Sequence, residues 1–265
     1  MSKSGQARVP NQSEIDHLFS VIKNHRYPEK NRAIMQISFK LGLRVQEIAL
    51  LELKEVCNLD KKKINRGFDL YNVMSLPAIY TKGANATGKS TKKYSRKSIR
   101  FTTEEFSKLV HQIENMAKAG QKIDPETFYP EIKKHHGKSR DLPLVDQELR
   151  ESLSDYIKIR IDQDPSVTPR SPLFLNQKGN PYSPNTLQEH MSLMLRDWAG
   201  IEKASSHSGR RSLITDVIHN QKKSIKVAQK IAGHVNASTT LIYDEPPEEE
   251  ISDALNSAFK KKTRI

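Results

Sequence analysis

The sequence predicts a mainly α-helical chain with a small antiparallel β-sheet, and two observations point that way. Apolar residues recur at helical spacing along most of the 265 residues, whereas extended patterns are few and short. Hydrophobic residues make up 35% of the chain and charged residues 28%, which gives a lean core under a polar surface. No apolar run approaches the roughly 20 residues that cross a bilayer, so no membrane association is expected.

The elements follow in order. Residues 1–11 are polar and read as a flexible N-terminus. Ser13 is placed to cap a first helix with the stripe Ile15, Leu18, Phe19 and Ile22. Pro28 interrupts, and a second helix starts near Asn31, turns Ile34, Ile37 and Leu41 inward and ends at Gly42. A short third helix faces Val45, Ile48, Ala49 and Leu51 inward, so Arg44 occupies a tight junction between two buried helices. Residues 56–82 read as extended, with a charged turn at Asp60–Lys63 and a strand from Val73 to Tyr80. A surface helix over 103–119 and a connector over 120–137 precede a second strand signal at Arg140–Leu144. An amphipathic helix over 146–161 carries Leu149, Leu153, Ile157 and Ile161, and Leu173-Phe174-Leu175 reads as a short buried strand. The remainder is helical, over about 184–198, 207–220, 224–233, 236–243 and 247–260.

Charge is the first sign of function. Forty-four Lys and Arg against 31 Asp and Glu leave a net +13, which suits a polyanionic partner because each neutralised phosphate releases counterions. The basic residues crowd between Lys82 and Arg100, where Lys82, Lys89, Lys92, Lys93, Arg96, Lys97 and Arg100 occur without an acid. That stretch is either a solvated loop or a segment lying along a phosphate backbone. A single cysteine, Cys57, excludes an internal disulfide framework and argues against a Cys-based zinc site. With no apolar secretory stretch at the N-terminus, these features suit a cytoplasmic location.

Chemistry concentrates in three clusters: Gly42-Leu43-Arg44-Val45-Gln46-Glu47, Ser206-His207-Ser208-Gly209-Arg210-Arg211-Ser212, and Gly233-His234 through Tyr243. Taken singly, each has an ordinary structural explanation: an interior Arg44–Glu47 ion pair, a histidine at a helix start, a core histidine, one tyrosine of eight. Together they supply what phosphodiester cleavage by a side-chain oxygen needs. Arginines offer planar forks that match a phosphate, and histidines donate to phosphoryl oxygens or move protons near neutral pH. A tyrosine is a weak nucleophile until cations favour its phenolate, so cationic stabilisation must do most of the work. His207 and Arg210 lie three residues apart and project from one face of a helix start. The sequence has neither a Walker-type loop nor an acidic metal cluster, so no cofactor or metal is expected.

The order and spacing of these clusters resemble the tyrosine recombinases, the phage integrase family. Gly42–Ile48 is similar to the family's first arginine box, His207-Ser208-Gly209-Arg210 to its His-x-x-Arg box, and Gly233-His234 with Tyr243 nine residues later to its nucleophile segment. The stretch from Pro172 to Leu187 is similar to the linking region, and the likeness covers residues 12–258. The resemblance implies that Arg44 and Arg210 hold the scissile phosphate, that Glu47 buttresses the first box, and that His207 and His234 hydrogen-bond the phosphate and assist proton transfer. It implies attack by Tyr243 to give a 3′-phosphotyrosine, with the free 5′-hydroxyl of a partner strand reversing the step without ATP. The family also uses a hairpin lysine as general acid: Lys82 is preferred and Lys138 is the alternative.

If the strands near Lys82 and Lys138 form that hairpin, residues 84–137 are a basic insertion at its tip, a departure from the usual short turn. The pattern also begins without the separate N-terminal clamp domain of many relatives, and Arg211 stands where many carry a second histidine. The tail, 245–265, bears the stripe Ile251, Leu255 and Phe259, which suits docking on a neighbouring protomer. The expected partners are therefore double-stranded DNA, further copies of the chain in a dimer or tetramer, and an accessory protein. The alternatives are a type IB topoisomerase-like enzyme, or a non-catalytic DNA-binding protein on the same fold.

Overall fold

The computed structural model describes residues 7–59, 67–80, 102–123, 139–234, 236–244, 251, 252, 255 and 256. The chain divides into two compact units, one of residues 1–81 with 138–265 and the other of residues 82–137.

The larger unit opens with helix α1 (Gln12–Ile22). Asn11, not Ser13, caps it: Asn11 Oδ1 accepts from Glu14 N at 2.9 Å, and Glu14 Oε2 accepts from Asn11 N at 2.9 Å. Helix α2 (Pro28–Gln36) starts at Pro28 itself, because a proline at the first helical position gives up only an amide that would be unpaired anyway. The helix widens into a π turn over Ile37–Leu41 and stops at Gly42, whose φ of +60° reverses the chain. Helix α3 (Val45–Leu50) begins at once, and a 3₁₀ turn (Leu53–Glu55) leads into the strands.

Two antiparallel two-stranded ladders are present among the described residues. Strand β1 (Cys57–Leu59) pairs with β2 (Phe68–Leu70), Cys57 opposite Leu70. Strand β3 (Val73–Leu76) pairs with β4 (Arg140–Pro143), Val73 opposite Pro143 and Leu76 opposite Arg140. The expected strand to Tyr80 is shorter than that, since Ala78–Tyr80 forms a 3₁₀ turn tied down by Tyr80 Oη donating to Glu55 Oε1 at 3.3 Å. The turn expected at Asp60–Lys63 lies outside the described residues.

Helix α5 (Gln147–Gln163) lies against α2, burying Leu149, Leu153, Ile157 and Ile161 together with Tyr156. Leu173–Leu175 is not a strand. Leu173 N donates to Leu51 O at 2.7 Å, and only isolated bridges form around it, Glu52 to Pro172 and Leu175 to Pro181. Helix α6 (Pro184–Ser192) continues as a π turn over Leu193–Trp198, and α7 (Ser208–Thr215) as a π turn over Asp216–Asn220. The short helices α8 (Ile225–Ala232) and α9 (Ser238–Leu241) follow, and Ile251, Ser252, Leu255 and Asn256 are helical.

The main core runs from Leu18 on α1 through α2, α3, α5 and α6. A smaller cluster of Ile214, Val217, Ile218, Ala228 and Ala232 joins α7 to α8, with Tyr243 packed on its edge. The smaller unit contributes helix α4 (Thr103–Lys118), capped reciprocally by Thr102 and Glu105. No described helix is long and apolar enough to cross a membrane.

Candidate active site

The site is assembled around the C-terminus of α8. A helix ends with carbonyls that have no amide partner and with the negative pole of its dipole, so cations gather there. Here the carbonyl of Ala232 accepts from three guanidiniums: Arg210 Nη2 at 2.6 Å, Arg140 Nη1 at 2.8 Å and, more weakly, Arg44 Nη1 at 3.5 Å. Gly233 then takes φ +61°, and the chain turns away.

Arg44 sits at the start of α3 because Gly42 reverses the chain before it. Glu47, fully buried in the first turn, accepts from the Arg44 amide at 2.7 Å and from Arg44 Nη1 at 3.1 Å. The same carboxylate accepts from Arg140 Nη2 at 2.8 Å. Among the described residues, two guanidiniums thus share this one carboxylate while Arg210 bonds only carbonyls and His234, and positive charge is left in excess.

Arg210 arrives from the first turn of α7. That helix is held close to the π turn after α2 at Gly209: a Cβ there would lie 2.5 Å from Ser38 Oγ and 3.0 Å from the Ser38 carbonyl carbon. With α7 so close, Arg210 Nη1 reaches Gly42 O at 2.6 Å. Burial, then the charge of Arg44 and Arg140, pulls the Arg210 guanidinium down to about 10, against the opposing pull of Glu47 and Tyr243.

His234 Nε2 lies 2.8 Å from Arg210 Nη2, and its Nδ1 lies 2.9 Å from Thr240 Oγ1. A guanidinium can only donate, so Nε2 is the acceptor and the ring proton is on Nδ1, facing Thr240. Burial, followed by Arg210, Arg44 and Arg140, pushes His234 down to about 3, so it is neutral at physiological pH. In this arrangement His234 orients Arg210.

Tyr243 follows α9. Its ring stacks on His234 with centroids 5.9 Å apart and planes 19° apart, and the Arg211 guanidinium lies 5.8 Å from the ring centre. Its carbonyl accepts from His219 Nε2 at 3.2 Å, which ties the residue to the end of α7. Tyr243 therefore lies beside the His234–Arg210 pair of its own chain.

His207 stands at the residue before α7 and is exposed, one turn before Arg210. Arg44, Glu47, Arg210, His234 and Tyr243 are thus brought into one network, with His207 at its rim. Lys82 and Lys138, and the basic residues Lys89, Lys92, Lys93, Arg96, Lys97 and Arg100, lie outside the described residues. Sequence reasoning missed Arg140 and Thr240. The signal for Arg140 was present: Arg140, Leu142 and Leu144 share a parity, so an arginine falls on the buried face of a strand.

Residues 121–250 match the sequence model of the phage integrase family. The chain is 30% identical over 101 residues to the tyrosine recombinase XerC of Methylobacterium sp. (strain 4-46), covering 38% of this chain and 31% of that protein. It is 31% identical over 107 residues to the tyrosine recombinase XerC of Caldanaerobacter subterraneus subsp. tengcongensis, covering 40% and 30% respectively. The chain therefore spans about a third of the length of these relatives. Among solved structures, it superposes on XerA recombinase with a TM-score of 0.58 at 16% identity, covering 98% of this chain and 68% of the other. The Tn1549 transposon integrase in complex with transposon right end DNA gives 0.57 at 18% identity, with the same coverage. At such identity the superpositions show the fold alone. Sequence match, curated relatives and shared fold agree: residues 121–250 carry the sequence pattern of the phage integrase family, and the chain is similar there to tyrosine recombinases.

Proposed function

We propose that this chain is a site-specific DNA recombinase that cuts and rejoins strands through a 3′-phosphotyrosine on Tyr243. The observation that carries the proposal is the convergence on the Ala232–His234 turn: Arg44 and Arg210, 166 residues apart in sequence, meet there with Arg140, only Arg44 and Arg140 pair with the Glu47 carboxylate, and Tyr243 stacks against the same turn. Excess positive charge in a largely buried site suits a phosphate, whose transition state gains negative charge on its non-bridging oxygens.

In the proposed step, Tyr243 gives up its phenolic proton to His207, its Oη attacks the phosphorus, and the bond to the 5′-oxygen breaks. That oxygen takes a proton from Lys82, with Lys138 as the alternative donor. Arg44 and Arg210 hold the non-bridging oxygens, and His207 hydrogen-bonds the phosphate from the start of α7. His234 enters chiefly through Arg210, since its Nε2 already accepts from that guanidinium. Attack by the 5′-hydroxyl of a partner strand reverses the chemistry, conserving the number of phosphodiester bonds without an external energy source. Integration, excision, inversion and resolution all use this step.

The rest of the proposal concerns the surroundings of the site. Residues 84–137 act as an insertion whose basic run follows the DNA backbone, and residues 245–265 dock on a neighbouring protomer in a dimer or tetramer on double-stranded DNA. An accessory protein is a further candidate partner, and the cytoplasm is the proposed location.

The decisive experiment incubates the chain with a fragment library of DNA flanking its gene, traps covalent adducts in denaturant and sequences the attachment points. Wild-type protein is expected to give discrete attachment points, and Tyr243→Phe to bind the same fragments without forming an adduct. Adduct persisting in Tyr243→Phe would identify a different nucleophile and overturn the proposal.

A further inference from the structure

We propose that Arg140 is a positioning residue of this site, setting the aim of Arg44 through Glu47 and the path of the Gly233–His234 turn through the Ala232 carbonyl. This inference rests on the recombinase reading above.

Four observations support it. First, Arg140 comes from β4, an element that contributes none of the motif residues, and its side chain is 8% exposed, so it is directed into the protein. Second, its two terminal nitrogens hold the two sides of the site: Nη2 donates to Glu47 Oε2 at 2.8 Å and Nη1 to Ala232 O at 2.8 Å. A planar fork can span two fixed acceptors in this way, and a lysine ammonium cannot reproduce it. Third, the Arg140 guanidinium occupies the space beside Gly233. A Cβ on Gly233 would lie 2.0 Å from Arg140 Nη1 and 3.1 Å from its Cδ, so the glycine before His234 is required by the arginine as well as by its own positive φ. Fourth, the placement is electrostatically costly. Arg140 Nε is buried with no hydrogen-bond partner among the described residues, and burial lowers the Arg140 guanidinium against the opposing pull of Glu47. An apolar residue on the same face as Leu142 would serve β4 packing without that cost.

The consequence for Arg44 is geometric. Glu47 offers Oε1 to the Arg44 side chain, while Oε2 is divided between the Arg44 amide and Arg140. Without Arg140 the carboxylate can rotate toward Arg44 alone and draw its guanidinium inward, away from where a phosphate would be held. The turn carrying His234 loses its lateral anchor at the same time. A displacement of about 1 Å in such a site can cost on the order of 10²-fold in rate.

The test uses the full chain and a duplex carrying an attachment point mapped by adduct trapping. Single-turnover cleavage rate and DNA dissociation constant are measured for wild type, Arg140→Gln, Arg140→Lys, Glu47→Gln and the Arg140→Gln/Glu47→Gln pair. Arg140→Gln is expected to lose on the order of 10²-fold in cleavage rate with DNA affinity within about twofold, and Arg140→Lys to recover part of that loss. The double variant is expected to lose far less than the product of the single losses, because the two residues act on one another. Wild-type cleavage by Arg140→Gln, losses that simply multiply, or a loss lying entirely in DNA affinity would each overturn the inference. If Arg140→Gln does not fold, Arg140→Lys decides: full cleavage refutes positioning, and a tenfold or greater loss at unchanged affinity supports it. One measurement needs no DNA: removing the Arg140 charge should raise the His234 titration midpoint followed by NMR, and an unchanged midpoint counts against the inference. If wild-type protein forms no adduct on any fragment, the recombinase reading fails and takes this inference with it.

Discussion

Lowering the pH from 7 to 5 should destabilise the larger unit through two histidines, the buried His234 and the partly buried His190. His234 is pushed down to about 3 by burial and by Arg210, Arg44 and Arg140. His190, whose Nδ1 lies 2.8 Å from Tyr182 Oη, is pushed down to about 4 by burial and by Lys30. In the unfolded chain both would titrate near 6.5, so between that value and the folded one the unfolded state binds more protons and stability falls with pH. Integrated from pH 7 to pH 5, each histidine contributes about 1.9 kcal/mol of lost stability, about 4 kcal/mol for the pair. The window stops at pH 5 because Asp146, held low by the Leu149 amide and Lys40, and Glu105 and Asp164, lowered by local hydrogen bonds, add losses of the same sign only in the carboxylate range. Glu55, raised mainly by burial, acts in the opposite sense and reduces the total slightly. Urea unfolding at pH 7, 6 and 5 measures the effect directly. His190→Asn and His234→Asn should each remove about half the slope. Stability flat to within about 1 kcal/mol across the window, or an undiminished slope in the double variant, would refute the electrostatic reasoning.

Further expected outcomes concern the site and its packing. Arg210→Lys should cost at least about 10²-fold in cleavage, read in single-turnover assays, because an ammonium cannot serve Gly42 O, Ala232 O and His234 together and still hold a phosphate. Gly209→Ala should destabilise by about 1–3 kcal/mol in urea unfolding, since its Cβ meets Ser38 Oγ at 2.5 Å and backbone atoms at 3.0 and 3.1 Å. Adding EDTA should leave adduct formation unchanged, because the proposed step draws its charge stabilisation from arginines.

Much of this arrangement was legible in the sequence, for identifiable reasons. The corner that presents Arg44 showed itself because Ile34, Ile37 and Leu41 precede a glycine at helical spacing, and that glycine does take the left-handed conformation. The β3–β4 pairing could be expected across more than sixty intervening residues because the family resemblance implies a hairpin between these two stretches. Pro28 was read as a break because a proline signals the loss of an amide equally at a helix start and inside one. The Leu173–Leu175 strand was over-read because an apolar run reports burial and not a ladder. Arg140 went unassigned because an isolated charge has no period, and its partners, Glu47 and Ala232, are 93 and 92 residues away.

The stacking of Tyr243 on His234 within a single polypeptide bears on how labour is divided in an assembly. Under the proposed mechanism, a phenol housed beside its own chain's arginines would make each copy responsible for the strand it holds, with no borrowing of the attacking group from a neighbour. Mixing Tyr243→Phe protein with Arg210→Lys protein should then restore no cleavage, whereas a shared centre built across two copies would regain about a quarter of its sites by random pairing.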